Sequence, residues 1–493
     1  MFKLLILLTI VTLTASLTFK PHIIFIVADD LGWNDVSWHN PEMLTPNLGN
    51  LAREGVILNQ SYVQPVCTPS RTAFMSGYYP FKVGRQNSVI DYLEPTGLSI
   101  NFTLLPEKLK SLGYSTHIVG KWHLGYCNWS YTPTYRGFDT FFGYYGGAED
   151  YYTHSWIIND KSLKNTPWRN AEYYLDFRND THPAKNYNGV YSPLVFAKTV
   201  NEILSKSDPK NPLFLYLPFQ SVHAPLQVPK RWEDLYRNIK NNNRRKYCGM
   251  VSAMDDAVGK IITSLKKYGF FNNSVIIFTT DNGGQTKAGG NNWPLRGNKG
   301  TLWEGGTRGP AFVYSPNLLK KRYVNTKIIH AVDWYPTILH LAGSSKVNNK
   351  IDGVNQWDVI NNDGPSARSE FIYNIFDNSH RRAAIRVGDY KLIWGHPGNP
   401  SGWIPPPRQN EHIKSCNLST KSIVSAIRLF NIKEDPTERN NLGATLPKVV
   451  ELLKTKIIEY SREMIHADDP KDDPNGDPIY WNGVFSPGWC IAR

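Results

Sequence analysis

The sequence predicts an α/β protein: a large, mainly parallel sheet sandwiched by helices, followed by a smaller C-terminal domain built on an antiparallel sheet. Three observations carry this. Four short, continuously apolar segments have the β-branched content of strands covered on both faces. Helical patterns alternate with them. After about residue 365 the pattern changes to close-set strands separated by turn residues.

The four apolar segments are His22–Ala28, Ser115–Val119, Leu213–Leu217 and Ser274–Thr280. A helical pattern over residues 101–112 precedes the second. Another over residues 247–268 precedes the fourth, with Val251, Met254, Val258, Ile261, Ile262 and Leu265 at helical spacing. In the C-terminal part, Glu370–Asn374, Arg382–Val387 and Asp389–Trp394 read as an antiparallel meander. A Pro-rich loop, Trp403–Arg408, a strand, Ala426–Phe430, and a helix, Lys448–Met464, follow, and the tail Asp468–Pro487 reads as irregular. The two domains are expected at residues 17–365 and 366–493.

The chain has 493 residues, 41% hydrophobic and 20% charged, which excludes a wholly disordered chain, a collagen and a coiled coil. Five cysteines are too sparse for a small disulfide scaffold. The net charge of +13 favours anionic partners such as a sulfated glycan, or serves solubility alone. The charge is dispersed, and its densest stretch, residues 230–246, also carries Glu233 and Asp234. No nucleic-acid partner is therefore expected. Aromatic residues reach 13%, which suits large cores first and sugar clefts second.

Met1–Ser16 reads as a signal peptide: Lys3, an apolar run from Leu4 to Leu13, then small residues. No later apolar stretch reaches the ~18 residues of a membrane span, so no membrane anchor is expected. Secretory entry is the expectation, with lysosomal and secreted destinations both open. It gives meaning to the glycosylation sequons at Asn59, Asn101, Asn128, Asn179, Asn272 and Asn417. The cysteines are Cys67, Cys127, Cys248, Cys416 and Cys490, an odd number that leaves one thiol to explain.

Chemistry-bearing residues cluster at predicted strand ends. Asp29 and Asp30 end the first strand, and Asp281 and Asn282 end the fourth. Ligands in open α/β sheets bind beyond the carboxyl ends of strands. Carboxylates meeting there repel one another unless a cation joins them, and an oxygen set supplied mainly by protein favours Ca²⁺. Each pair could equally cap a turn or helix. In Pro65-Val-Cys-Thr-Pro-Ser-Arg71, Pro69 suits a helix start, which puts Cys67 where helix amides favour an anion. Arg71 adds a fork suited to a tetrahedral oxyanion. An ordinary buried or disulfide-bonded cysteine is the competing reading. Lys121 and His123 follow the second strand, His223 the third, and Lys299 lies beyond the fourth. Each alone could be structural; together on one sheet edge they suggest a site.

These residues carry a resemblance. Cys67-Thr-Pro-Ser-Arg71 resembles the C-x-P-S-R signature of the type I, formylglycine-dependent sulfatases, and Gly120-Lys-Trp-His-Leu-Gly125 resembles the family's second signature. Asn282-Gly-Gly284 and Trp303-Glu-Gly-Gly306 match as well. The stretch from Asp281 to Lys299 is most similar to arylsulfatase B and its close relatives. The resemblance implies an alkaline-phosphatase-like fold and hydrolysis of sulfate esters, such as an N-acetylgalactosamine 4-sulfate unit. It implies one Ca²⁺ held by Asp29, Asp30, Asp281 and Asn282 together with residue 67. It also implies a formylglycine made from Cys67 by a formylglycine-generating enzyme during maturation.

By the same resemblance, Asp281 is the base toward the residue-67 hydrate and Arg71 and Lys121 balance charge. His223 and Lys299 serve the leaving oxygen, and His123 serves release of sulfate. With Cys67 modified, Cys416 and Cys490 are the expected disulfide pair and Cys248 a free core thiol. Two departures stand out. Gly49-Asn50 replaces an acidic residue, expected in a surface turn, and Asn298 stands where arylsulfatase B carries a basic residue. A phosphodiesterase or phosphatase of the same superfamily and a catalytically silent glycan-binding protein are the alternatives. The first calls for two metals and a Ser or Thr nucleophile, the second for lost site residues.

Overall fold

The structure is a computed structural model and describes residues 20–158, 173–319, 322–344, 350–377, 382–406 and 427–493. The leader at residues 1–16, the end of the Pro-rich loop, Cys416 and Asn417 lie outside the described residues.

The strand His22–Ala28 sits at the middle of the large sheet. It pairs in parallel with Ser274–Thr280 on one side and Leu213–Pro218 on the other. Ser115–Lys121 and Thr140–Tyr144 continue the parallel set. The edges turn antiparallel, through Phe312–Tyr314 on one side and Arg178–Asn179 on the other. Residues alternate along His22–Ala28: Ile23, Phe25 and Val27 join one apolar cluster, Ile24, Ile26 and Ala28 another. Each face of the sheet thus has its own core, the reason these strands are apolar throughout.

The predicted strands match within two residues. The predicted helix over residues 101–112 is shorter, Leu105–Ser111, because Pro106 belongs in a first turn and Glu107 accepts from the Leu104 N–H. The helix read from residue 247 begins earlier, at Asn242, where the Asn241 side chain accepts from the Arg244 N–H. Gly49 is not in a surface turn. It lies buried in the helix Pro46–Glu54, where an added Cβ would stand 2.3 Å from the Ser37 hydroxyl oxygen.

The C-terminal sheet runs Glu370–Ile375, Arg382–Val387, Tyr390–Gly395 and Ile427–Asn431, all antiparallel, with the helix Pro447–Ser461 packed on it. Its junction with the large sheet shares an apolar cluster and encloses a buried polar network. Lys391 lies 2.9 Å from Glu304 and 2.8 Å from Glu438, and Glu304 also accepts from Tyr62 and Tyr373. The glutamate of Trp303-Glu-Gly-Gly306 is therefore a structural anchor. Burial works against its charge, but Lys391, Arg308 and Arg386 hold the carboxyl below the usual range.

The expected Cys416–Cys490 pair is not formed: Cys490 is bonded to Cys127. The tail does not stay in the C-terminal domain but returns to the large-sheet body. There Asp473 donates its N–H to Leu93, and Arg178 donates to the Phe485 carbonyl. Proximity in sequence misled; the tail's path brings together two cysteines 363 residues apart. Cys67 and Cys248 are free and buried. No helix among the described residues is long and apolar enough to cross a membrane.

Candidate active site

The carboxyl ends of the central parallel strands bring the sequence-predicted residues to one place. Asp29 and Asp30 follow the middle strand, Asp281 and Asn282 its neighbour, and Lys121 ends the strand Ser115–Lys121. The helix Cys67–Ser76 points its N-terminus, and so Cys67, at the same spot; Gly77 closes it with φ 75°, a backbone that glycine adopts without strain. Ligand atoms of Asp29, Asp30, Cys67 and Asp281 lie within 4.8 Å of one another, all buried. The Cys67 sulfur is 3.5 Å from Asp29 Oδ1 and 3.4 Å from Asn282 Oδ1, so the amide oxygen completes the set.

Three cations surround the three carboxylates. Lys121 Nζ is 2.5 Å from Asp29 Oδ2. Arg71 reaches Asp281 Oδ2 through Nη2 at 2.8 Å and Nε at 3.2 Å. Lys299 Nζ is 2.8 Å from Asp30 Oδ1. Burial alone raises the Asp29 and Asp30 carboxyls, but Lys121, His223 and Arg71 for the first, and Lys299 and His223 for the second, hold them below the usual range. These fixed charges cancel, three against three. A divalent cation in the oxygen cluster leaves +2 for an incoming anion to answer, which suits a sulfate ester. A hard cation fits the donor set: carboxylate and amide oxygens converging in a buried space.

The Cys67 thiol is pushed up by burial, then by Asp281 and Asp29, so it stays neutral. His123 is held neutral by burial and by Lys121 and Arg71. Its Nε2 lies 3.1 Å from the Ile90 carbonyl, which can only accept, so Nε2 carries the proton. Nδ1 is then the lone pair; it is buried and has no partner among the described residues. Its positive φ of 59° is one a histidine seldom adopts, and such backbone concentrates at functional sites. His223 lies 3.8 Å from Asp30 through Nε2 and turns Nδ1 to the Ala224 carbonyl at 2.6 Å. Burial and Lys299 lower it.

Asp29, Asp30, Cys67, Arg71, Lys121, Asp281, Asn282 and Lys299 thus gather in this cluster, with His223 beside Asp30 and His123 near Lys121 and Arg71. Asn298 is 5% exposed, accepts from Thr286 and donates to the Lys299 carbonyl. It shapes the loop that presents Lys299. Sequence reading missed three supports. Ser70 donates to the Asp281 carbonyl. Thr68 Oγ1 donates to the His123 carbonyl and accepts from the Ile90 N–H, both at 3.1 Å. Ile90 acts only through its backbone. Ser70 and Thr68 stand inside the Cys67–Arg71 motif; nothing in a side chain marks Ile90.

The Thr68 clamp yields a prediction. Thr68→Val keeps the shape but leaves a buried carbonyl and N–H unpaired, at about 1–3 kcal/mol. Thermal unfolding should show this loss. Turnover should fall by about tenfold as His123 loses its fixed position. Unchanged turnover in a destabilised variant would show that the clamp is structural only.

Fold and site together describe a hydrolase for tetrahedral anionic esters, with a buried carboxylate cluster at the strand ends that could hold a metal ion. Residues 21–344 match the family model described as Sulfatase. The chain is 42% identical over 494 residues to mouse arylsulfatase J, covering 95% of this chain and 80% of that protein. It is 30% identical to human N-acetylgalactosamine-6-sulfatase, covering 92% and 87%. A crystal structure of Ps i-CgsB with a neocarrahexaose superposes with TM-score 0.78 at 28% identity, covering 94% and 97%. The chain belongs to the sulfatase family, hydrolases of sulfuric esters.

Proposed function

We propose that the chain is a Ca²⁺-dependent sulfatase working through a formylglycine hydrate at position 67, on a sulfated glycan such as a sulfated N-acetylgalactosamine unit. One observation carries this: the buried cluster of Asp29, Asp30, Asp281 and Asn282 around Cys67, its charge balanced by Arg71, Lys121 and Lys299. The glycan reading is supported by the names of the relatives, one an N-acetylgalactosamine-6-sulfatase, and by the neocarrahexaose in the solved structure. A formylglycine-generating enzyme is the maturation partner, and the secretory pathway, lysosomal or extracellular, the location.

Bound at Asp29, Asp30, Asp281, Asn282 and residue 67, Ca²⁺ supplies Lewis-acid polarisation of sulfate oxygens and of the residue-67 hydroxyl. As the hydroxyl of residue 67 attacks sulfur, Asp281 takes its proton, and Arg71 and Lys121 neutralise the charge that grows on the ester. Lys299 stabilises the departing oxygen beside His223 on Asp30, and His223 protonates it through Nε2 in its imidazolium form, which an anionic substrate favours, while Nδ1 keeps its proton on the Ala224 carbonyl. His123 offers Nδ1 to the second hydroxyl of residue 67, so sulfate leaves and the aldehyde returns.

Tryptic mass spectrometry tests the modification: the peptide ending at Arg71 should carry an aldehyde or its hydrate. Only thiol in a fully active preparation would refute it. The two histidines separate the steps. A nitrophenolate leaves unaided, but a sugar alkoxide needs a proton. His223→Ala should therefore cost sugar sulfates about 10²–10⁴-fold while sparing an activated aryl sulfate. His123→Ala should slow both alike, with a burst of alcohol before turnover stalls. Equal losses in both variants without a burst would reverse these roles.

A further inference from the structure

We propose that Tyr247 is a positioning residue for the cation site. Its hydroxyl fixes the backbone of residues 30–32 so that the Asp30 carboxylate faces Asn282 and Lys299, an inference that rests on the calcium reading.

Asp30 stands in an uncommon backbone. Its φ is 58°, a region that a residue other than glycine holds only where its surroundings impose it. The end of the strand Ser274–Thr280 supplies part of that hold. The Asp30 N–H donates to Asp281 Oδ1 at 3.2 Å, and the Leu31 N–H to Thr280 Oγ1 at 3.1 Å. The Asp30 carbonyl is served from elsewhere. Its one donor among the described residues is the Tyr247 hydroxyl, at 2.8 Å. The same hydroxyl oxygen accepts the Gly32 N–H at 3.4 Å, so one group ties both ends of this short stretch. Burial, and then Asp35, push the Tyr247 hydroxyl up, so it keeps its proton and donates.

The helix Asn242–Lys267 gives this hold a rigid base. Tyr247 is fully buried on it. Arg244, one turn earlier, pairs with Asp35 and donates to the Gly289 carbonyl at 2.9 Å. Asp35 in turn accepts from the Gly32 N–H at 3.2 Å and the Asn291 N–H at 2.8 Å. A Cβ on Gly289 would stand 3.0 Å from the Tyr247 Cβ, so the loop beyond Asn282 packs on the same side chain. The first turns of one helix thus grip both loops that carry the oxygen cluster.

What the grip fixes is the direction of the Asp30 side chain. Asp30 Oδ1 accepts from Asn282 Nδ2 at 2.7 Å and lies 2.8 Å from Lys299 Nζ. Without the Tyr247 hydroxyl, a buried carbonyl has no donor and the uncommon φ has lost one of its restraints. Relaxation there swings the carboxylate away from Asn282 and Lys299. Tyr247 acts through Asp30 and is not itself a ligand.

Calorimetry on the metal-stripped full chain tests this apart from turnover. Tyr247→Phe keeps the ring and removes only the hydroxyl, and it should weaken Ca²⁺ binding about 10–100-fold. Its hydrolysis of 4-nitrophenyl sulfate should fall at limiting Ca²⁺ and return toward wild type as Ca²⁺ saturates, with KM unchanged. A merely structural hydroxyl would lower the thermal midpoint and leave Ca²⁺ affinity as it was, and that outcome overturns the proposal. If Tyr247→Phe does not fold, 3-fluorotyrosine in place of Tyr247 alone keeps the hydroxyl and decides the matter. Its fluorine resonance should shift as Ca²⁺ is added, and a resonance indifferent to saturating Ca²⁺ overturns the proposal. The calcium reading fails in a different way. A wild type that cleaves the ester yet binds no Ca²⁺ refutes that reading and the positioning role with it, whereas equal Ca²⁺ binding by wild type and Tyr247→Phe refutes the positioning role alone.

Discussion

Cys67→Ser abolishes turnover while leaving the fold intact: that is the expected result with the largest effect. The side chain is fully buried, and exchanging sulfur for oxygen changes its volume little, so thermal unfolding should move only slightly. Chemistry should not survive. A serine offers one hydroxyl and can at most accept sulfate, having no second hydroxyl through which to expel it. Losing a nucleophile that acts as a unit with its partners costs on the order of 10⁶-fold in kcat. A serine variant should therefore gain the mass of one sulfate on the peptide ending at Arg71 and then stop. Sustained multiple turnover by Cys67→Ser would refute the hydrate mechanism.

Asp281 carries the second large effect, because three elements meet on its side chain. Arg71 donates to it twice, the Asp30 N–H donates to Oδ1 at 3.2 Å, and it belongs to the buried carboxylate cluster. Asp281→Ala strips the buried Arg71 of its main partner, which costs about 3–5 kcal/mol of stability. Asp281→Asn keeps the shape and tests charge alone. Elemental analysis should find Ca²⁺ in the wild type and much less in Asp281→Asn, with activity lost in parallel. Asp29→Asn should follow the same course. Full activity of the wild type after stringent chelation, with no metal bound, would refute the calcium proposal.

The tautomer of His123 shows why part of the site was not legible in the chain. Its presence in Gly120–Gly125 marks it as a candidate, but the proton's place depends on the Ile90 carbonyl, 33 residues away. Backbone groups carry no residue-type signal, so no pattern announces them.

Cysteine pairing failed for a related reason. Nearness in sequence favoured Cys416 with Cys490, yet the bond joins Cys490 to Cys127, where the tail returns to the large-sheet body. A disulfide requires close Cα atoms, here 5.4 Å apart, and the path of a tail with little regular structure is set by its packing.

By itself the sequence determined four parallel strands of the large sheet, which acidic residues stand at those strands' ends, and the antiparallel strands that follow. Buried parallel strands must be apolar on both faces, and ligands collect at their carboxyl ends, so periodicity and position suffice. Only the tertiary structure decided how charge is distributed there. That Lys121 meets Asp29, Arg71 meets Asp281 and Lys299 meets Asp30 depends on which strands are neighbours and where the loops return. Electrostatic interaction falls off with distance, and distances between side chains hundreds of residues apart exist only in the folded chain.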